Sequence, residues 1–290
     1  MQILYLGSFP ASRMISLSNG KIDSLYRDDH ALIKGLRSVK GVNVKVITLP
    51  DICSYPSNPI FFKGFYDEKD DVYSLPILNL PIIKLFWTVL VLFLSALKFV
   101  KGSPGQVIVI TPYIVFHHIL PSYLLKLTFR KRVKLVLVAP DIFFPKDWRN
   151  RILNKLSEKM AKKHDAFILY TEAMGEYLGV CNKPSIVIEG FNEIRPHDNT
   201  PNDNGFIVLY SGSLNLEYGV GRLVESMRFI SEDDIKLHLL GDGNAVDFIK
   251  TSAENDPRIV YRGKLPKEQA MHALYEANVL VNPRNSCDGE

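Results

Sequence analysis

Cysteine is scarce in this sequence: Cys53, Cys181 and Cys287 are odd in number, far apart, and show no CxxC spacing. That pattern argues against a disulfide framework or a zinc site, and it predicts a reducing, cytoplasmic setting. No secretory signal is visible either, since Met1-Gln2-Ile3-Leu4-Tyr5-Leu6-Gly7 has no basic stretch ahead of its apolar run. No G-x-G-x-x-G follows that run, which continues Ser8-Phe9-Pro10, so a dinucleotide oxidoreductase is disfavoured. No internal repeat is visible, and neither charge sign dominates. A net charge of +4, with 47% hydrophobic and 23% charged residues, is an ordinary globular balance that does not by itself imply nucleic acid. The 290 residues suffice for two domains.

What the sequence does hold is alternation. Strand-like runs at Gln2–Leu6, Val42–Leu49, Val107–Thr111, Lys134–Ala139, Ala166–Tyr170 and Ser185–Glu189 alternate with helical patterns. The helices are predicted from Asp28 to Leu36, near 115–129, over 150–163 and from Thr171. Ile152, Leu153, Leu156 and Met160 of the third are read as inward-facing. Residues 11–24 and 50–81 read as loop. The turn-rich stretch 195–205, RPHDNTPNDNG, reads as a linker. The series then restarts with strands at 206–211, Lys236–Leu240, Arg258–Tyr261 and Val279–Val281, and helices at 219–229, 244–254 and 266–276. Such alternation means βαβ units and mostly parallel sheets. Two Rossmann-like domains, 1–195 and 205–290, are therefore expected.

One run, Leu85–Leu97, is apolar nearly throughout and is flanked by Lys84 and Lys98. Thirteen residues fall short of the roughly 20 that span a bilayer. A core helix or a helix lying at a membrane interface is expected instead. Basic residues gather in the same half: Lys126, Arg130, Lys131, Arg132 and Lys134, then Arg149, Arg151, Lys155, Lys159, Lys162 and Lys163. They form a solvated face or dock an anionic membrane.

In open α/β sheets, ligands bind beyond the carboxyl ends of the strands. In the second half those ends carry Ser211-Gly212-Ser213-Leu214-Asn215, Gly241-Asp242-Gly243, Arg262-Gly263-Lys264-Leu265 and Pro283-Arg284-Asn285. Phe206–Tyr210 followed by Ser211-Gly212-Ser213 and a helix from about Gly219 is a ready anion site, since a helix N-terminus presents free N–H groups.

The ordered set YSGSLNLEYGVGRLVESM, LHLLGDG, RIVYRGKLPKEQAMHALYEANVLVNPR and, earlier, SIVIEGFNE resembles the retaining glycosyltransferases of family 4, which have the GT-B fold. HDAFILYTEAMGEYLGVCNKPSIVIEGFN resembles that family's preceding helix and interdomain strand. The likeness covers nearly all of 134–290 and, more loosely, 1–50. It implies two Rossmann-like domains facing across a cleft, the first on the acceptor side and the second binding a nucleotide-diphospho-sugar.

The resemblance assigns candidate residues. Gly7 and Ser8 match a glycine-containing loop facing the donor phosphates. Gly212, Ser213 and Gly219 would meet the diphosphate, and Gly241 and Gly243 would line the same site. Arg262, Lys264 and Leu265 would meet the nucleobase. Asp141 matches an acceptor-side aspartate and is the catalytic candidate; a helix cap or salt bridge is its plainer role. Thr171 is expected to cap a helix, and the neighbouring His117 and His118 to be structural, with no metal site.

Two departures stand out. Ser213 and Tyr218 occupy positions where the family usually has arginine and lysine, so Arg284 is the candidate to supply the charge. The family's E-x7-E motif has no complete copy before Glu290, which implies an incomplete second domain. The function implied is metal-independent, retaining, hexosyltransferase-type sugar transfer in envelope polysaccharide biosynthesis. The acceptor would be a glycan or lipid-linked molecule. No cofactor beyond the nucleotide-sugar co-substrate is expected, and the location would be cytoplasmic, at the inner face of the membrane. The alternative is an inactive relative that binds nucleotide or acts as a scaffold.

Overall fold

The computed structural model describes residues 1–9, 27–50, 52, 54–142, 147–190 and 205–284. Residues 11–24, the linker apart from Gly205, Cys53, Asn285, Cys287 and Glu290 lie outside the described residues. The chain divides into two units, Met1–Ile194 and Arg195–Glu290.

The first unit opens with strand β1 (Gln2–Ser8), helix α1 (Arg27–Ser38) and strand β2 (Asn43–Leu49). Four short strands follow, β3 (Phe61–Phe62), β4 (Phe65–Asp67), β5 (Val72–Ser74) and β6 (Ile77–Leu78), in the stretch expected to be loop. Runs of two or three residues are too short to show a period, which is why sequence reading passed over them. Then come α2 (Ile83–Gly102), β7 (Val107–Pro112), α3 (Phe116–Phe129), a 3-10 turn (Arg130–Arg132) and β8 (Val133–Ala139). The unit closes with α4 (Trp148–Ala161), β9 (Ala166–Leu169), α5 (Glu172–Leu178) and β10 (Ser185–Val187).

Eight strands form one sheet in the order β10-β9-β8-β7-β1-β2-β5-β4, parallel except for the β4–β5 pair. Alternate residues of β1 divide the core between two faces. Leu4 and Leu6 pack with Leu92, Ala96 and Val100 of α2 and Leu125 of α3. Ile3 and Tyr5 pack with Leu32 and Ile33 of α1. Leu135 belongs to the first of these clusters; Leu137, two residues on, joins Ile119 of α3, Ala161 of α4 and Leu178 of α5. Helices α2 to α5 therefore form one layer, and α1 covers the opposite face.

Two expectations about this layer need correction. Helix α2 has 20 residues, not thirteen, and by length and composition alone it is long enough and apolar enough to cross a membrane. Lysine is a good helix former, so Lys84 and Lys98 bounded the apolar run without bounding the helix. In α4, Ile152 and Leu156 are exposed, and the buried positions are Ser157 and Ala161. A helix with apolar residues on two sides gives a period but not the choice of side.

Under the start of α1 sits a carboxylate–phenol cluster. Tyr113 donates to Asp29 Oδ2 at 3.1 Å and Tyr170 to Asp28 Oδ2 at 2.7 Å. Burial pushes the Asp29 carboxyl up to about 7, opposed by hydrogen bonds from Tyr5 and Tyr113. A carboxyl raised on folding holds its proton longer in the native state. Its contribution to stability is full below pH 4 and is lost as pH rises to about 7, by at most about 1.4 kcal/mol per pH unit. Urea unfolding of the native protein against Asp29→Asn from pH 4 to 8 should show this slope in the former and its loss in the latter.

The second unit contains β11 (Phe206–Ser213), a 3-10 turn (Leu216–Tyr218), α6 (Val220–Ser226) continuing as a 3-10 turn (Met227–Phe229), and β12 (Ile235–Asp242). It ends with α7 (Val246–Asn255), β13 (Ile259–Gly263), α8 (Lys267–Glu276) and β14 (Val279–Leu280). The sheet order is β13-β12-β11-β14, all parallel. Tyr210, Leu237 and Leu239 face Val220, Val224 and Ile249 on one side, while Ile207 and Leu209 face Ala273 on the other.

Candidate functional site

The strand ends of the second unit are built by backbone meeting backbone. Strand β11 runs through Gly212 and Ser213, which pair with Gly241 and Asp242 of β12. The polar turn therefore starts later than the sequence suggested, at Leu214 and Asn215. Leu214 N–H donates to Asp242 O at 2.9 Å, and Ala245 N–H to Leu214 O at 2.8 Å. Asn215 Oδ1 accepts from Asn244 N–H, Asn244 Oδ1 accepts from Leu216 N–H, and Asn215 Nδ2 donates to Ser213 Oγ, each at 2.9 Å. These asparagines lock the two turns together. Sequence reasoning did not single them out, although an asparagine just after a strand is the usual mark of such a side-chain turn.

The glycines here serve packing first. A Cβ on Gly241, at φ +138°, would overlap Gly212 O, and one on Gly219, at φ +79°, would overlap Pro283 O. A Cβ on Gly243 would overlap Leu214 O, and one on Gly212 would lie 2.9 Å from the Tyr210 hydroxyl. Tyr210 itself donates to Ser213 O at 3.0 Å. Gly212 and Gly219 were expected to meet the diphosphate, and Gly241 and Gly243 to line the same site; in each, the missing side chain makes room for protein.

The charged candidates separate. The Arg284 guanidinium lies over the Tyr218 ring, its carbon 4.6 Å from the ring centroid, so the loop after β14 meets the turn ahead of α6. Arg262 pairs with Glu276 Oε2 at 3.6 Å. Lys264 is exposed. Leu265 is partly buried and packs against the cluster of Ile207, Leu209, Leu240 and Ala273. Helix α6 itself has only seven residues.

In the first unit, Gly7 and Ser8 are not in a loop. They are the last residues of β1, paired with Thr48 and Leu49. A Cβ on Gly7 would overlap the Pro112 ring, so neighbouring strand β7 demands the glycine. Ser8 Oγ lies 3.0 Å from His118 Nε2, and His118 Nδ1 lies 3.1 Å from Pro112 O. A carbonyl only accepts, so Nδ1 carries the ring proton and Ser8 donates to Nε2. Burial, reinforced by His117, holds His118 neutral, well below the usual imidazole range. Ser8 and His117 line a cavity of about 250 Å³ with Leu49, Ile82, Lys84 and Thr88. It lies beyond the ends of β1 and β2, where open α/β sheets hold ligands.

Asp141, two residues after β8, is exposed, and its Oδ1 accepts from the Ile142 N–H at 2.8 Å. It is not a helix cap: Asp147 caps α4, accepting from Asn150 N–H at 3.0 Å. Thr171 caps α5 through Met174 N–H at 3.3 Å. Among the described residues, no group of three His, Cys, Asp or Glu is placed to hold a metal ion.

No protein-family profile matches the sequence, and no curated protein matches it. Solved structures do. The lipopolysaccharide outer core galactosyltransferase WaaB aligns with a TM-score of 0.59 at 14% identity, over 97% of this chain and 73% of its own. Anabaena Alr3699/HepE in complex with UDP aligns at 0.57 and 14%, over 98% and 74%. A UDP-N-acetylglucosamine 2-epimerase aligns at 0.51 and 11%, over 96% and 73%. At such identities the likeness shows the fold alone, and it runs through both units. This chain has the two-Rossmann-domain fold of GT-B enzymes.

Proposed function

We propose that this protein is a glycosyltransferase that takes its sugar from a nucleotide diphosphate held at the strand ends of the second unit. The observation that carries the reading is Arg284 held over Tyr218 beside Gly219. In the family 4 pattern, cations stand at the positions of Ser213 and Tyr218, and here one arrives from the loop after β14. Its guanidinium would take the diphosphate, with the Ser213 hydroxyl as a further donor. Catalysis would rest on stabilising the leaving diphosphate and on positioning the acceptor.

HepE has been solved with UDP and with UDP-glucose, which favours a uridine nucleotide here. Lys264 is retained as the residue meeting the base, and Asp141 as the acceptor-side carboxylate. The finer reading is retaining, metal-independent transfer to a glycan or lipid-linked acceptor of the cell envelope, in the cytoplasm.

The experiment is a panel of UDP-sugars, with UDP release followed with and without added glycan and lipid acceptors, beside calorimetric titration of UDP. Acceptor-dependent UDP release that survives a chelator is expected. Neither binding nor release with any donor would sink the reading. Ser213 and Tyr218, which replace the two cations, favour a second reading, a nucleotide-binding protein without turnover. UDP binding with no release would select it.

A further inference from the structure

We infer that the outer surface of the α2–α3–α4 helix layer is a docking surface for an anionic lipid bilayer, with α2 and α4 lying along the membrane plane. The inference stands apart from the sugar-transfer reading, because it rests on residues of the first unit that the donor site does not use.

Its basis is where the apolar side chains point. On α2, Thr88, Leu92, Ala96 and Val100 recur every fourth residue and are buried. The opposite line, Phe86, Leu90 and Leu94, is 70%, 50% and 50% exposed. On α4, Trp148, Ile152 and Leu156 form a second line at the same spacing, 63%, 57% and 46% exposed. Leu127, at the end of the intervening α3, is exposed too. A helix on a water-facing surface carries polar residues on its outer line. Helix α1, on the other face of the same sheet, does so with Lys34 and Ser38. Apolar ridges on two helices of one layer mark an interaction surface.

Charge identifies the occupant. From residue 72 to 140 the chain contains no aspartate or glutamate. Lys98 and Lys101 continue the outer side of α2, and Arg130 and Lys131 are exposed in the next turn of the layer. Arg151, Lys155 and Lys159 stand exposed beside the apolar line of α4. Arg130 and Lys131 line an open hollow of about 490 Å³ with Leu127, Lys126 and Lys134; Lys126 and Lys134 pair with Asp165, so Arg130 and Lys131 are the cations offered to a phosphate headgroup. A second copy of this chain would set lysine against lysine across such a surface, whereas an anionic bilayer accepts both the ridges and their basic rim. Spanning is excluded for α2, because Leu92, Ala96 and Val100 close the core against Leu4, Leu6 and Val107. Withdrawing the helix would open that core.

The test is co-sedimentation of the full chain with vesicles of phosphatidylcholine alone or mixed with phosphatidylglycerol, at low and high salt. Binding to the anionic vesicles, weakened by salt, is expected, with the emission of Trp87 and Trp148 together moving to shorter wavelength. Two separate variants should each reduce the bound fraction by roughly tenfold or more. One is Phe86→Gln with Leu90→Gln and Leu94→Gln; the other is Lys155→Glu with Lys159→Glu. All these positions are exposed, so circular dichroism and melting should not change; if one variant fails to fold, the other still decides. UDP titration without vesicles should be the same for all. A chain left in the supernatant with both vesicle types overturns the inference, as do variants that bind like the parent. So does a parent that dimerises without lipid while the α2 variant stays monomeric.

Discussion

Gly241→Ala is expected to destabilise the second unit by about 4 kcal/mol, combining a strained backbone with a steric overlap. Gly241 has φ +138°, a region that L-residues rarely adopt. An added Cβ would overlap the Gly212 carbonyl oxygen, which belongs to the neighbouring strand and not to a mobile side chain. That strand cannot retreat easily, because the pairing continues through Ser213 and Asp242 and the turns beyond are tied by Leu214 and Asn215. Gly263→Ala is the control. Gly263 also has a positive φ, +69°, but nothing lies within 4 Å of an added Cβ. It should cost only about 1 kcal/mol. Urea unfolding of the two variants separates steric overlap from conformational strain. Equal midpoints would mean that the β11–β12 strand ends are looser than described, and the site with them.

Arg284→Ala is expected to lower kcat/KM for the nucleotide-sugar by roughly thirtyfold, equivalent to about 2 kcal/mol for a charge-assisted contact to phosphate. The stack on Tyr218 fixes the guanidinium at modest cost, since an exposed cation–π contact is worth about 0.5–1 kcal/mol. Melting should therefore barely change. Arg284→Lys keeps the charge and loses the planar fork, so an intermediate effect is expected. Arg262→Ala should do much less, because Arg262 is occupied by Glu276. If Arg284→Ala left both UDP affinity and turnover intact, the diphosphate would have to be held elsewhere, and the proposed donor site would fail.

How legible the fold and the site were depended on the range of the interaction concerned. The strands and helices of the second unit lie close to their expected positions, because each helix buries one apolar stripe and each strand is a short β-favouring run between turn residues. Helix α2 was read too short at both ends, since lysines interrupt hydrophobicity without interrupting a helix. The strands between 50 and 81 were passed over because pairing partners, not local pattern, create them. Gly7 and Ser8 were taken for a loop, yet strand β1 continues through them. Their place is set by Thr48, Leu49 and Pro112, all more than 40 positions away except through the folded sheet.

Local sequence alone determined the alternating β/α order, the parallel sheets and the strand-end loops in which to look for a ligand. Those follow from side-chain periodicity and turn chemistry, which act over a few residues. Only the tertiary structure decided which side of α4 is left exposed, why Gly241 and Gly219 cannot bear a side chain, and that Arg284 meets Tyr218. Each of these is a contact between segments distant along the chain, and the direction of a side chain there is set by the neighbour it meets rather than by the residues beside it.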